Sequence, residues 1–534
     1  MSLQTICKFS VGVTGPARAT GGGSTTLDGE KVLTFGRAEA RDMENSSDLG
    51  VHFGNRIRAA APSPGTGAGA DDGGASGRRP DDETDRSTMT AFDASGVTIA
   101  GPGATVGRRF ATRVAVALAF LSVLLMMTVS AAMLTRIGIP YVSSGGSLVT
   151  KIHPATWVAA LAVLPLVIAR GGMVRFVVGT AVGRPGLAAL ACGAGLILLH
   201  VVLVSRLPLA PIIDTFVLPI LLVVLLEAAD RRDLDRLARV LMVIFAVNAA
   251  LGCLEYASGW RLTPMYDGEG RPIAYDWRAS ALFGHPLANA FLDGTWLVAL
   301  AAGALPGLPR WTRLAAMGLA AVALVAFGGR VSMVSAVALT AAIGGLAGLR
   351  ILAGARFRLA TAVTAVLAAT VAALFLVVFL DMGGADRFIE RFSSDHGSAQ
   401  ARVAMFGIFE NLTLDQFLMW PDPALIAQAQ REFGIRIGVE SSQVAFVAFY
   451  GLAVTLVFLA AIGLFLHELV RATTPRTWWL VAHFVVVMSS SNGIAAKSLS
   501  LAQFAVIVLA FMPPRPSARR AGPAPSASLA EPRR

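Results

Sequence analysis

The chain has little lysine, little cysteine and little charge, and each shortage removes a class of protein from consideration. Among 45 basic residues only Lys8, Lys31, Lys151 and Lys497 are lysines. The net charge of +11 therefore rests on arginine, and many of those arginines flank apolar runs, where basic residues set membrane topology. No basic helix with interleaved aromatics and no zinc-finger spacing accompanies them, which argues against nucleic-acid binding. Of the three cysteines, Cys7, Cys192 and Cys253, the last two fall inside apolar runs. They suit small apolar fillers, not a disulfide framework or a paired metal-ligand spacing. There is no P-loop to cradle a nucleotide. The residues are read as marking no metal site, and no cofactor is expected.

What the chain does have is apolar length. Hydrophobic residues make up 55% of it and the mean hydropathy is +0.64. Apolar runs of about 16 to 24 residues recur, enough for a helix to cross a hydrocarbon core of about 30 Å. The expected fold is all-α, a polytopic inner-membrane protein of about twelve transmembrane helices with a large periplasmic loop. The spans read as 110–133, 154–169, 187–205, 210–227, 238–256, 287–306, 314–329, 331–349, 359–380, 441–465, 477–490 and 499–512, the last two also fitting a re-entrant pair. Residues 1–105 are rich in Gly, Ser, Asp, Thr and Ala without a helical or strand period, so a disordered cytoplasmic region is expected, and Met89 is a second candidate start. Residues 106–512 form the transmembrane domain, with 381–440 as the large loop inside it. A disordered cytoplasmic tail follows over 513–534.

Arginines at alternate connections place both termini in the cytoplasm: Arg108, Arg109 and Arg113, then Arg170, Arg175 and Arg184, and onward to Arg515, Arg519 and Arg520. Two loops on the other side, from about Trp260 to Pro286 and from Asp381 to Glu440, also keep arginines. Retained there, they suit an anionic headgroup such as a diphosphate, or they pair with Asp267, Glu269 or Asp386. The segment Glu227 to Arg236 alternates sign and reads as a solvated helix extension with local ion pairs.

Four constellations on that outer side, three in or beside those loops and one in the turn between the seventh and eighth spans, carry polar chemistry. Arg278-Ala-Ser-Ala-Leu-Phe-Gly284-His285-Pro286-Leu-Ala-Asn289-Ala290 offers phosphate donors, a group that titrates near neutrality and an amide, or else simply starts a helix. Gly328-Gly329-Arg330 is a tight turn whose arginine either faces an anionic lipid carrier or snorkels to headgroups. Arg402 belongs to an expected amphipathic interfacial helix with Val403, Phe406 and Phe409 on its apolar stripe. Glu440 either acts as a general base or, with Ser441, caps a helix start.

These arginine-bearing sites, in this order and over residues 235–490, resemble the O-antigen ligase and Wzy-type polysaccharide polymerase superfamily, most closely its VpsF-type exopolysaccharide polymerases. The resemblance implies an undecaprenyl-diphosphate-linked glycan as donor substrate. It implies a donor and diphosphate site at Arg278, Asn289 and Arg330, and catalysis by Arg402, Glu440 and His285, with His396 and Arg391 as auxiliaries. A lipid-linked oligosaccharide would be the binding partner, together with a flippase and chain-length-regulating proteins. Ligases of the superfamily usually carry a histidine near the end of the large loop, where this chain has Glu440-Ser441-Ser442. Transfer of polymer to lipid A-core, and transport or flipping of the lipid-linked oligosaccharide, stay open as alternatives.

Overall fold

A computed structural model describes residues 102–142, 146–265, 278–354, 403–435 and 439–512, with the single positions 377 and 381. Residues 1–101, the tail 513–534, the expected ninth span apart from position 377, and residues 382–402 and 436–438 of the large loop lie outside the described residues, while 102–105, expected to be disordered, form the first turn of a helix. Every regular element among those described is helical. In chain order the main helices are α1 (Pro102–Thr128), α2 (Pro154–Ala169), α3 (Met173–Gly183), α4 (Pro185–Ser205), α5 (Ala210–Leu226), α6 (Arg231–Ser258) and α7 (Pro286–Ala301). They continue as α8 (Arg310–Phe327), α9 (Arg330–Leu352), α10 (Pro423–Glu432), α11 (Ser442–Tyr450), α12 (Leu452–Ala472), α13 (Thr477–Ser489) and α14 (Ser500–Phe511).

The protein is an all-helical polytopic membrane protein. Among the described residues six helices are long and apolar enough to cross a bilayer: α4, α6, α8, α9, α12 and the 106–128 part of α1. A seventh counts if α2 and α3, bent by 99° at their junction, act together. Twelve such spans are expected from the sequence, and the difference lies mainly in short central helices. From Asn289 to Leu300 every residue of α7 is buried, and so is every residue of α14 from Ser500 to Val508. A helix enclosed by protein has its ends covered by other chain segments, so the length of about 20 residues that lipid demands does not bind it.

Local signals set the helix ends. Pro286 occupies the first position of α7, where its missing N–H is harmless. Asp230 caps α6 by accepting from the Asp233 amide at 2.8 Å. Gly328, at φ 63°, ends α8 in a left-handed conformation. Lipid offers helices little hydrophobic drive to associate, so close approach through small residues matters. A Cβ on Gly252 would overlap the Phe327 ring, and one on Gly329 would overlap Ala290. Phe245 stacks on Trp296 at 5.5 Å.

Hydrogen bonds between distant segments divide the bundle into two ends. At one, Arg136 donates to the Leu262 carbonyl, Thr215 to Ala496 at 3.2 Å and Ser442 to Ser491 at 2.6 Å. At the other, Arg313 donates to Leu300 and Leu305 at 3.2 and 2.9 Å, and Arg476 to Ala302 at 3.2 Å. The first group are the positions that an alternating threading assigns to one side, the second those of the opposite side.

Candidate functional site

The polar segment before α7 is pinned at the first end by groups the sequence reading did not single out. Glu255, 2% exposed near the end of α6, accepts the amides of Leu262, Ser280 and Ala281 at 2.9, 2.8 and 2.8 Å. Asn248, two turns earlier on α6, accepts the Leu282 amide at 3.0 Å. Ser280 Oγ donates to the Thr263 carbonyl at 2.5 Å, and Thr263 Oγ1 returns a bond to Ala281 at 3.2 Å. Backbone amides that burial would orphan are thereby satisfied. Ala281, at φ 37°, pays for this with left-handed strain.

Arg278 stands at the entrance to that segment, half-buried. Its neighbour Ala279 donates to the Ala326 carbonyl at 3.0 Å, tying the segment to the last turn of α8. Two residues beyond α8 come Gly329 and then Arg330, the first residue of α9 and likewise half-buried. Ser332 on that first turn donates to Ala290 of α7 at 2.6 Å. The segment bearing Arg278 is bonded to α8 and, through Asn289, to α7, while Arg330, which follows α8 in the chain, opens a turn bonded to α7 at the same end of the bundle. The close approach that Gly329 permits is to Ala290.

His285 and Asn289 act within the backbone. His285 caps α7, its Nδ1 accepting the Leu287 amide at 3.2 Å. In the neutral ring that bond puts the proton on Nε2, so the remaining nitrogen is a donor and not a base. Asn289 is fully buried and donates to Ser280 at 2.6 Å and His285 at 3.0 Å, a strut between loop and helix, while its Oδ1 has no partner. Glu440 is half-buried two residues before Ser442, whose hydroxyl also accepts the Ile494 amide at 3.4 Å. Ser441 precedes α11 without capping it through its side chain and donates to Gln443 at 3.1 Å instead.

The described part of the large loop lies on this end as well. His200 of α4 meets the Met419 carbonyl at 3.3 Å and stacks on Trp420. The expected interfacial helix is present as a short 3-10 turn, Met405–Phe409. Met405 and Ile408 are buried, while Val403 and Phe406 face away from the protein. Arg402, His396 and Arg391 lie outside the described residues.

A second polar knot sits beside the site. Asp214, fully buried in a π-helical turn of α5, accepts from Tyr141 at 2.9 Å, Thr156 at 2.7 Å and the His153 amide at 3.0 Å. Lys497 Nζ lies 3.8 Å from the same carboxylate and 3.2 Å from the centre of the Tyr141 ring, and donates to the carbonyls of Tyr141 and Lys151. Burial, with Lys151 adding to it, pulls the Lys497 ammonium down to about 7 against the opposing pull of Asp214. Burial, then Asp214, raises Tyr141 well above its ordinary value. His153 is lowered by burial, against its bond to Val129.

Two further buried groups lie deeper. Both carboxylate oxygens of Asp293 on α7 are buried without a hydrogen-bond partner. His483 on α13 meets Ser335 at 2.5 Å, Phe291 at 3.4 Å and Ser332 at 3.5 Å. Glu255, Asp214 and His483 shared one signal that was there to be read: an ionisable residue inside an apolar run.

At the opposite end the expected local ion pairs are present, Arg231 with Asp235 at 2.8 Å and Arg236 with Asp233 at 3.0 Å. Those two aspartates form an Asp-x-Asp pair that the sequence reading passed over, and both are paired with arginines. Glu227 departs from the solvated reading. It is partly buried against Arg184, which also reaches Glu468 at 3.7 Å. Among the described residues no group of three or more His, Cys, Asp or Glu side chains is arranged to hold a metal. No family model matches the chain, and neither a curated protein nor a solved structure matches it.

Proposed function

We propose that the chain is a membrane glycosyltransferase. It would polymerise undecaprenyl-diphosphate-linked oligosaccharide repeat units into exopolysaccharide or O-antigen at the periplasmic face of the inner membrane, with both termini cytoplasmic. The observation that carries this reading is that the Arg278 segment is bonded to α8 and the Arg330 turn to α7 at one end of the bundle. Two guanidiniums held at one membrane surface suit a diphosphate whose lipid tail stays in the bilayer. In the reaction an acceptor hydroxyl oxygen bonds to the anomeric carbon as the bond from that carbon to the diphosphate oxygen breaks. The diphosphate leaves with the electron pair, and its charge is met by Arg278, Arg330 and Arg402. The hydroxyl proton passes to Glu440, since the Nδ1 of His285 is engaged by the Leu287 amide.

Cells lacking the gene test the reading directly. Single repeat units should accumulate on the lipid carrier while long surface chains disappear. Full-length polymer left on the carrier and absent from lipid A would favour the ligase instead. The buried, unpartnered Asp293 supports a second reading, transport or flipping of the lipid-linked oligosaccharide, since transporters place ionisable groups at mid-span. That reading gains if carrier-linked repeat units accumulate on the cytoplasmic side.

A further inference from the structure

Far from the end that carries Arg278 and Arg330, a cleft of about 870 Å³ opens between residues 109–124 of α1 and the first half of α6. Its mouth carries Arg109, Arg113 and Arg236, and its walls are apolar, with Val116 and Phe120 on α1 and Leu241 and Ile244 on α6. On α1 the lining follows one helical stripe: the two arginines stand one turn apart, and the apolar residues follow at the next turns of the same face. On α6 the order repeats, with Asp233 and Arg236 first and Leu237, Leu241 and Ile244 after them.

The charges at the mouth are not balanced. Asp233 is paired with Arg236 at 3.0 Å, and Asp230 caps α6 through the Asp233 amide. Arg109 and Arg113 are exposed and make no ion pair with a described residue. From Arg113 to Leu124 the wall rises about 16 Å, close to half of a hydrocarbon core of about 30 Å. Cationic at one membrane surface and apolar to the bilayer middle, the cleft has the polarity and length of one leaflet. Leu121, Leu124 and Val240 on its walls are more than two-fifths exposed, a surface that lipid covers in a membrane protein.

We infer that this cleft is a binding site for one anionic phospholipid of the leaflet opposite the Arg278 and Arg330 end, its phosphate held by Arg109 and Arg113 and its acyl chains lying between α1 and α6. Basic pockets between membrane helices are suited to such headgroups. The site is separate from the proposed donor site: Glu255 lies 19 residues along α6 from Arg236, about 28 Å away. It does not depend on the glycosyltransferase reading.

The test uses the full chain, purified, delipidated and offered phosphatidylglycerol or phosphatidylcholine with the same acyl chains. Bound lipid is counted by native mass spectrometry, and the thermal midpoint is followed. Wild type should retain phosphatidylglycerol at least about tenfold over phosphatidylcholine. The double variant Arg109→Gln/Arg113→Gln should lose that preference. Val240→Trp, at an exposed wall position, should reduce retention with both arginines intact. Excess inorganic phosphate should not displace the lipid. Equal retention of the two lipids, unchanged retention in the double variant, or displacement by inorganic phosphate would each overturn the inference. So would a polyprenyl phosphate or a second copy of the chain found in the cleft in place of phospholipid.

Discussion

The two ends of the bundle are built on opposite electrostatic plans. At the far end, arginines do the joining: Arg184 sits between Glu227 and Glu468, and Arg313 and Arg476 cover the carbonyls that close α7. At the near end, buried carboxylates carry most of it, with Arg136 on the Leu262 carbonyl beside them. Glu255 gathers three backbone amides, and Asp214 gathers an amide and two hydroxyls. A carboxylate that accepts amides shapes a loop, whereas an arginine that donates to carbonyls seals a helix end. The near end is therefore the one whose loops are held in a fixed form around its arginine-bearing segments. The far end uses its arginines as fasteners.

Substitutions that remove a fastener from each end should sharpen the contrast. The largest effect is expected from Asp214→Ala, which leaves Lys497 buried beside three unpaired donors. A loss of about 3 to 5 kcal/mol is expected for breaking a buried ion pair, read as an earlier unfolding midpoint of the purified protein. Asp214→Asn combined with Lys497→Met should recover part of it. Glu255→Gln keeps an acceptor but loses the charge, and about 1.5 to 3 kcal/mol is expected from weakening its bonds to the amides. It should also lower transfer by freeing the loop before α7. If it leaves transfer untouched, the loop is not part of the site. At the far end Arg184→Ala should cost stability without changing transfer per folded molecule.

A further effect separates the ends by pH. Folding lowers Lys497 from an ordinary 10.5 to about 7. Between those values the unfolded chain binds a proton that the folded chain has released, so stability from this group rises with pH across that window. Tyr141, pushed upward, stays neutral throughout most of it. Unfolding midpoints measured from pH 7 to 10 should climb in wild type, and Lys497→Met should flatten the climb. An unchanged slope in the variant would assign the pH dependence elsewhere.

Much of the frame could be read from the chain alone. Pro286, Gly328 and Asp230 mark helix ends because each has a local conformational or capping reason to be there, and the pairs within 231–236 follow from helical spacing. The joins between distant segments could not be read in that way. Thr215 meets Ala496 across 281 positions, and Ser335 meets His483 across 148. Nothing local in an apolar run says which polar residue on another run it will face. Asn289 illustrates the limit: its position suits a ligand-binding amide, yet burial turns it inward to its own loop. The shortness of the central helices is hidden for a related reason, because hydropathy measures affinity for lipid and not enclosure by protein.

The central claim is that the near end, and not the far end, handles the lipid-linked donor. Arg278→Ala and Arg330→Ala should each lower polymer formation by about tenfold or more, a loss of roughly 1.4 kcal/mol or more of transition-state stabilisation, at normal protein levels. Polymer made at the wild-type rate in both variants, with the protein folded and present, would contradict it.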